Sequence, residues 1–169
     1  MASTYELIAS QTLGSDTASV TFSGIPGTYT DLYAVASART NRASNTWADT
    51  RIRFNGAAND TNLSGRYLQG TGSAAASGTT AYAWVGDVTA STATASTFAS
   101  LEIYLPNYAG STNKSYSSTC AHETNSSTAY LVAIAGLWSD TSAITSLTLV
   151  PVGSFVTGSS FFLFGITKA

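Results

Sequence analysis

Cys120-Ala121-His122-Glu123 brings a thiol, an imidazole and a carboxylate within four consecutive positions of this 169-residue chain. In a strand, residues 120 and 122 share one face, so a thiolate and an imidazole could meet there. The chemistry they suggest is incomplete. A metal site needs three or four ligands, and the chain has one cysteine and one histidine in all. A Cys–His nucleophile also needs an oxyanion hole and a group to orient the imidazole, and the sequence identifies neither. The expectation is of ordinary strand residues, with Cys120 a small apolar filler, and of no catalytic residue, metal or cofactor.

The carboxylates are Glu6, Asp16, Asp31, Asp49, Asp60, Asp87, Glu102, Glu123 and Asp140. Hydrolysis of a glycosidic bond needs two facing acids, but nothing in this spacing selects a pair. Asp16 and Asp140 sit among Ser and Thr, where Asx-turn or capping work is expected. Asp31 is expected to open a strand. Gly70-Thr71-Gly72 lacks the Lys-Ser/Thr and following helix of a phosphate loop. Asn-x-Ser/Thr triplets at Asn59, Asn62, Asn113 and Asn125 are expected by chance in so Ser/Thr-rich a chain.

Two long polar loops each carry an aromatic, Thr40 to Trp47 and Asn107 to Lys114. Trp47 or Tyr108 could stack on the apolar face of a sugar while Asn side chains read its hydroxyls. Arg42, Trp47, Tyr108 and Lys114 are therefore the candidate binding residues. The competing reading folds these aromatics back over the protein's own ends or into a subunit contact, and it is the favoured one.

The elements that must position these groups are strands. Charged residues make up 9% of the chain, hydrophobic residues 44%, and Ser plus Thr roughly three in ten. Such a mixture suits a pleated sheet. The formal net charge of −2 creates no basic field for nucleic acid or anionic lipid. The N-terminus lacks the basic and apolar regions of a signal peptide, and no run reaches the ~18 apolar residues of a membrane helix. Few like charges also mean weak repulsion between copies, so self-association is expected.

Apolar–polar alternation marks strands over 5–13, 18–22, 31–39, 51–54, 98–105, 114–122, 129–137, 144–150 and 161–166, with shorter pieces at 67–68 and 81–85. Asn55-Gly56 is the strongest turn signal, and 70–78 reads as a small-residue loop. The expected fold is all-β: a single antiparallel β-sandwich domain over 1–169, jelly-roll-like. Its expected core is Ile8, Val20, Phe22, Leu32, Phe54, Leu101, Ile103, Leu131, Ile134, Leu147, Leu149, Phe162 and Phe164. Gly136 is expected to lie beneath Trp138, and Gly165 beneath Phe162 or Phe164.

Residues 5–13, 20–32, 106–115, 135–138, 144–149 and 158–166, taken in order, resemble a family of small virion structural proteins of tailed bacteriophages. The resemblance implies a non-enzymatic protein of the virion, made in the host cytoplasm. One place is the head surface, as a capsid decoration or cement protein: a homotrimer bound to the major capsid protein. The alternative is a tail-fibre or tail-tip module that contacts other tail proteins or a host surface glycan. The head is favoured, because strands fill the sequence from residue 5 to 166 and leave no stalk. No nucleic acid and no membrane insertion is expected.

Overall fold

The computed structural model describes residues 4–58, 60–80, 82–125 and 128–167. Asn59 and Ala81, which the sequence placed in a triplet and at the start of a strand, lie outside the described residues. Among those residues every regular element is a strand: β1 (Tyr5–Thr12), β2 (Val20–Ser23), β3 (Asp31–Ala38), β4 (Trp47–Phe54), β5 (Leu63–Gly70), β6 (Ala75–Thr80), β7 (Trp84–Thr89), β8 (Ala99–Pro106), β9 (Lys114–His122), β10 (Tyr130–Trp138), β11 (Ser146–Pro151) and β12 (Ser160–Ile166).

The strands form two antiparallel sheets that pack as a sandwich. The larger runs β1-β12-β3-β8-β9-β10-β5-β6 and the smaller β2-β11-β4-β7. Period-2 alternation sets which side faces inward: β8, β9 and β10 bury every second residue. The smaller sheet is held against them through β7, which is buried at all six positions and contacts β8, β9 and β10. The core between the sheets centres on Leu32, Ile52, Phe54, Leu101, Ile103 and Leu147.

Close backbone approaches fix the packing at two glycines. Gly86 sits at φ 131°, and a Cβ there would fall 2.7 Å from the Cβ of Cys120, so β7 presses directly on β9. On Gly136 lies the ring of Tyr116, its cross-strand partner, in place of the expected Trp138. The ring over Gly165 is Tyr29, and neither Phe162 nor Phe164 takes that place.

Several core expectations need correcting. Leu131 is 60% exposed, because Val132 and Ile134 set the inward phase of β10. Phe161 and Leu163 are buried in β12, whereas Phe162 points out and Phe164 is half-buried. The register of β12 against β3 places Leu163 opposite Ala34, an inward residue, and a run of consecutive apolar residues gives the sequence no phase of its own. Ile8 is half-buried at the core's margin.

The expected loop at 70–78 is mostly the β5–β6 hairpin. Gly70 pairs with Ala75 and Gly65 with Thr80. Thr71 turns the chain: its N–H donates to the Ala74 carbonyl (2.9 Å), and its hydroxyl accepts from Ala74 N (3.1 Å). Asn55 and Gly56, at φ 52° and 71°, do form the expected turn. Asn55 also accepts from the backbone N of Thr145 at 2.8 Å, binding the turn to the start of β11.

Candidate functional site

A cleft of about 310 Å3 opens where the β4–β7 edge of the small sheet meets the β5–β6 hairpin. Its walls are Trp47 and Asp49 from β4, Tyr67 and Gln69 from β5, Thr79 and Thr80 from β6, Trp84 and Asp87 from β7, with Tyr82 between them and Tyr130 at the start of β10. Alternation delivers these groups: Trp47 and Asp49 share the face of β4 opposite the buried Ala48 and Thr50.

The carboxyl pair stands out chemically. Asp49 and Asp87 occupy directly opposed positions of β4 and β7, and their side chains are within hydrogen-bonding reach. Asp87 is 3% exposed. Burial first, and then the neighbouring Asp49 charge, push its carboxyl up to about 7, while the Trp84 indole and the Arg42 charge pull the other way. Trp84 Nε1 donates to Asp87 Oδ1 at 3.2 Å. Asp87 is thus held far above an ordinary carboxyl and, when protonated, can donate as well as accept a hydrogen bond.

The aromatic walls are braced from behind. Tyr67 meets Trp84 edge-on at 5.2 Å, and its ring occupies the space left by the absent side chain of Gly78, its cross-strand partner. Trp47 is met edge-on by Tyr130 at 5.9 Å and carries Arg42 5.0 Å from its ring centre. Arg51 lies 4.5 Å from the ring centre of Tyr82 and is held by Asp60 at 3.1 Å. Cys120 supports the floor: its sulfur accepts from the backbone N–H of Asp87 at 3.0 Å. Burial pushes that thiol up to about 12, so it stays protonated and is no nucleophile.

Of the residues chosen from sequence, the structure brings together Arg42 and Trp47. Arg42 lies over the indole and donates to the Trp47 carbonyl at 3.3 Å. Tyr108 is fully buried, its hydroxyl donating to the Pro26 carbonyl. Lys114 is also buried, its ammonium 5.8 Å from the centre of the Trp138 ring and 3.5 Å from the Asp140 carbonyl. Neither Tyr108 nor Lys114 lines the cleft. Asp140 makes the expected Asx turn with Ser142 N at 2.7 Å. Asp16 ties Asn41 to Thr157 across three loops.

The acid pair, Gln69 and four of the five cleft aromatics were not chosen. One signal for Asp87 was available: Ala83-Trp84-Val85-Gly86-Asp87-Val88 sets an acid inside an apolar strand, where either face is covered. Among the described residues, no group of three or more His, Cys, Asp or Glu side chains is placed to hold a metal ion. No helix among them is long and apolar enough to cross a membrane.

No family model matches the chain, and no curated protein matches it. Among solved structures it is similar to Scytalido-glutamic peptidase with a peptide-based transition-state analogue. The identity is 15%, over 91% of this chain and 66% of that one, and the TM-score is 0.28. A likeness that slight transfers no residue role. The reading as a non-enzymatic phage head or tail protein is nonetheless corrected: no family model and no curated protein supports a phage, capsid or cement description. The firm exclusion of catalysis is withdrawn too, since two carboxyls, Asp49 and Asp87, stand directly opposite each other in the cleft.

Proposed function

We propose that the chain binds a saccharide in the cleft between β4–β7 and the β5–β6 hairpin. The observation that carries this reading is the meeting of aromatic walls and a carboxyl pair in one concave site. Sugar rings present apolar C–H faces and polar hydroxyl rims. Trp47, Tyr67 and Tyr82, all half-buried, offer surface to the first. Gln69, Thr79, Asp49 and Asp87 offer donors and acceptors to the second. Asp49 and Asp87, directly opposed on β4 and β7, place two carboxyls side by side where they can grip hydroxyls.

A glycan array probed with the wild-type protein and with Trp47→Ala tests this. The expected result is selective retention of particular glycans and its loss in the variant. An array without signal, or an equal signal from a variant that folds normally, overturns the reading.

Self-association is a separate proposal. Leu68 and Leu131, 61% and 60% exposed, are diagonal neighbours on the outward face of adjacent strands β5 and β10. Light scattering at micromolar concentration is expected to give a multiple of 17.4 kDa, and a monomeric mass overturns it.

A further inference from the structure

The outward face of the larger sheet separates its charges. Its residues fall in cross-strand rows: Tyr33, Tyr104, Ser117, Ala135 and Arg66 make one, and Val35, Glu102, Thr119, Ala133 and Leu68 the row beside it. The β3–β8 side is aromatic and acidic. The Tyr33 hydroxyl is hydrogen-bonded to Glu102, and Tyr104 donates to Asp31 at 2.8 Å. Arg66 and Lys114 are the only cations in the strands of this sheet, and Lys114 is buried. Exposed Arg66 pairs with no carboxylate among the described residues, and donates only to the carbonyl of its neighbour Gly65 at 3.2 Å.

Between these two sides the face is low. Ser117, Thr119, Ala133 and Ala135 floor a groove of about 390 Å3 with Arg66 and Leu68 along its far wall. Tyr33, Glu102 and Tyr104 border the same serine and threonine from the other side. Ridge, floor and cation in this order are self-complementary under a two-fold rotation. With the axis between two facing sheets, along the β9–β10 boundary, β5 of each copy lies opposite β8 of the other. Within one chain those strands are three spacings, about 14 Å, apart, too far for Arg66 to pair with its own Glu102.

Resting on the self-association proposal, we propose that this face docks a second copy of the chain, two-fold related, with each Arg66 set against Tyr104 and Glu102 of the partner subunit. Charge complementarity selects the occupant: the acids at one side of the face match the unpaired cation at the other. A guanidinium gains cation–π attraction over a tyrosine ring, and its fork fits a carboxylate. Leu68 and Leu131, more than half exposed in the single chain, are covered by the same contact. Six strands overlap, from β3 to β6 across the sheet. At ~4.8 Å per strand and about 25 Å of strand length they cover roughly 700 Å2 on each copy, near the ~800 Å2 per partner of a stable interface.

The test is light scattering of the full chain at micromolar concentration, as wild type, Arg66→Glu, Glu102→Arg and an equimolar mixture of the two variants. Wild type should give twice 17.4 kDa. Each variant alone sets like charges opposite at both contacts, and should weaken association about 100-fold or more and run as a monomer. The mixture restores opposite charges at both contacts and should recover the doubled mass. A three-membered ring cannot alternate two variants and would stay apart. A monomeric wild type overturns self-association and this face with it. A wild-type oligomer of three copies, one that neither variant weakens, or a mixture that stays monomeric overturns the two-fold face alone. Both positions are exposed, and far-ultraviolet circular dichroism checks the folding of each variant. Should Glu102→Arg not fold, Ala133→Trp replaces it: bulk on the groove floor should also give a monomer, and an unchanged dimer overturns the face.

Discussion

Replacing Asp87 by Asn should stabilise the protein at alkaline pH and leave it nearly unchanged in acid. The native state holds this carboxyl at about 7, against an ordinary value of 3.8. Between those values the folded chain keeps a proton that the unfolded chain has released, so wild-type stability falls as pH rises. Each pH step in that interval costs about 1.4 kcal/mol, which makes on the order of 4 kcal/mol by pH 8. Asparagine resembles the protonated acid in shape, still accepts from Trp84 Nε1, and carries no charge to bury. His122 acts in the opposite sense. Its pKa is lowered by burial, so the unfolded chain takes up the proton first and stability is lost as pH falls below about 6.5. The wild-type profile alone therefore mixes two slopes, whereas the difference between Asp87→Asn and wild type isolates one. Urea unfolding at pH 4.5, 6, 7 and 8 should show that difference growing from about 1 kcal/mol to about 4 kcal/mol in favour of the variant. Asp49→Asn should flatten the wild-type slope in part, because it removes the second cause of the shift. A variant destabilised equally at every pH would refute the reasoning and make Asp87 an anion that the fold needs.

Gly136→Ala places a methyl in the ring of Tyr116, and thermal melts should show a loss of about 1–3 kcal/mol or more. Phe161→Ala should cost about 3–5 kcal/mol, whereas Phe162→Ala, at an outward position, should cost well under half as much. The reverse order would put the register of β12 wrong. Arg39 donates to the carbonyls of Ser91, Ala93, Thr94 and Thr97. Arg39→Met should leave the carbonyls of Ser91, Ala93 and Thr97 without this donor, while Thr94 keeps its bond from Thr97 Oγ1 at 2.7 Å, and should speed proteolysis within 91–97 without changing the strands' far-ultraviolet signal.

How much of this the sequence disclosed follows from where side-chain pattern controls structure. In β8, where Leu101 and Ile103 alternate with Ser100 and Glu102, and in β11, where Leu147 and Leu149 flank Thr148, both the strand and its inward face were legible; in β9 only the strand was, because its inward face is Lys114, Tyr116, Ser118, Cys120 and His122. In β12 the run Phe161-Phe162-Leu163-Phe164 shows a strand but hides its phase, which pairing with Ala34 and Val35 supplies. β6, Ala-Ala-Ser-Gly-Thr-Thr, has nothing large to bury and exists through backbone pairing with β5, a tertiary cause that composition does not record. The site was hidden for a related reason. Asp49 and Asp87 are 38 positions apart and meet only through the register of β4 on β7. Trp47 was recognisable as an aromatic at the end of a polar loop. Tyr108 and Lys114 looked alike from outside, but their loop carries them into packing.

The central claim, that the aromatic cleft is where a saccharide sits, is tested most directly by the three tryptophan indole N–H signals. Trp47 and Trp84 line the cleft, while Trp138 packs on Phe54 beneath Lys114 and serves as an internal control. Titration of nitrogen-15-labelled protein with cellobiose or chitobiose should move the Trp47 and Trp84 signals together, saturably, and leave Trp138 still. Three unmoved signals, or a shift confined to Trp138, would contradict the account.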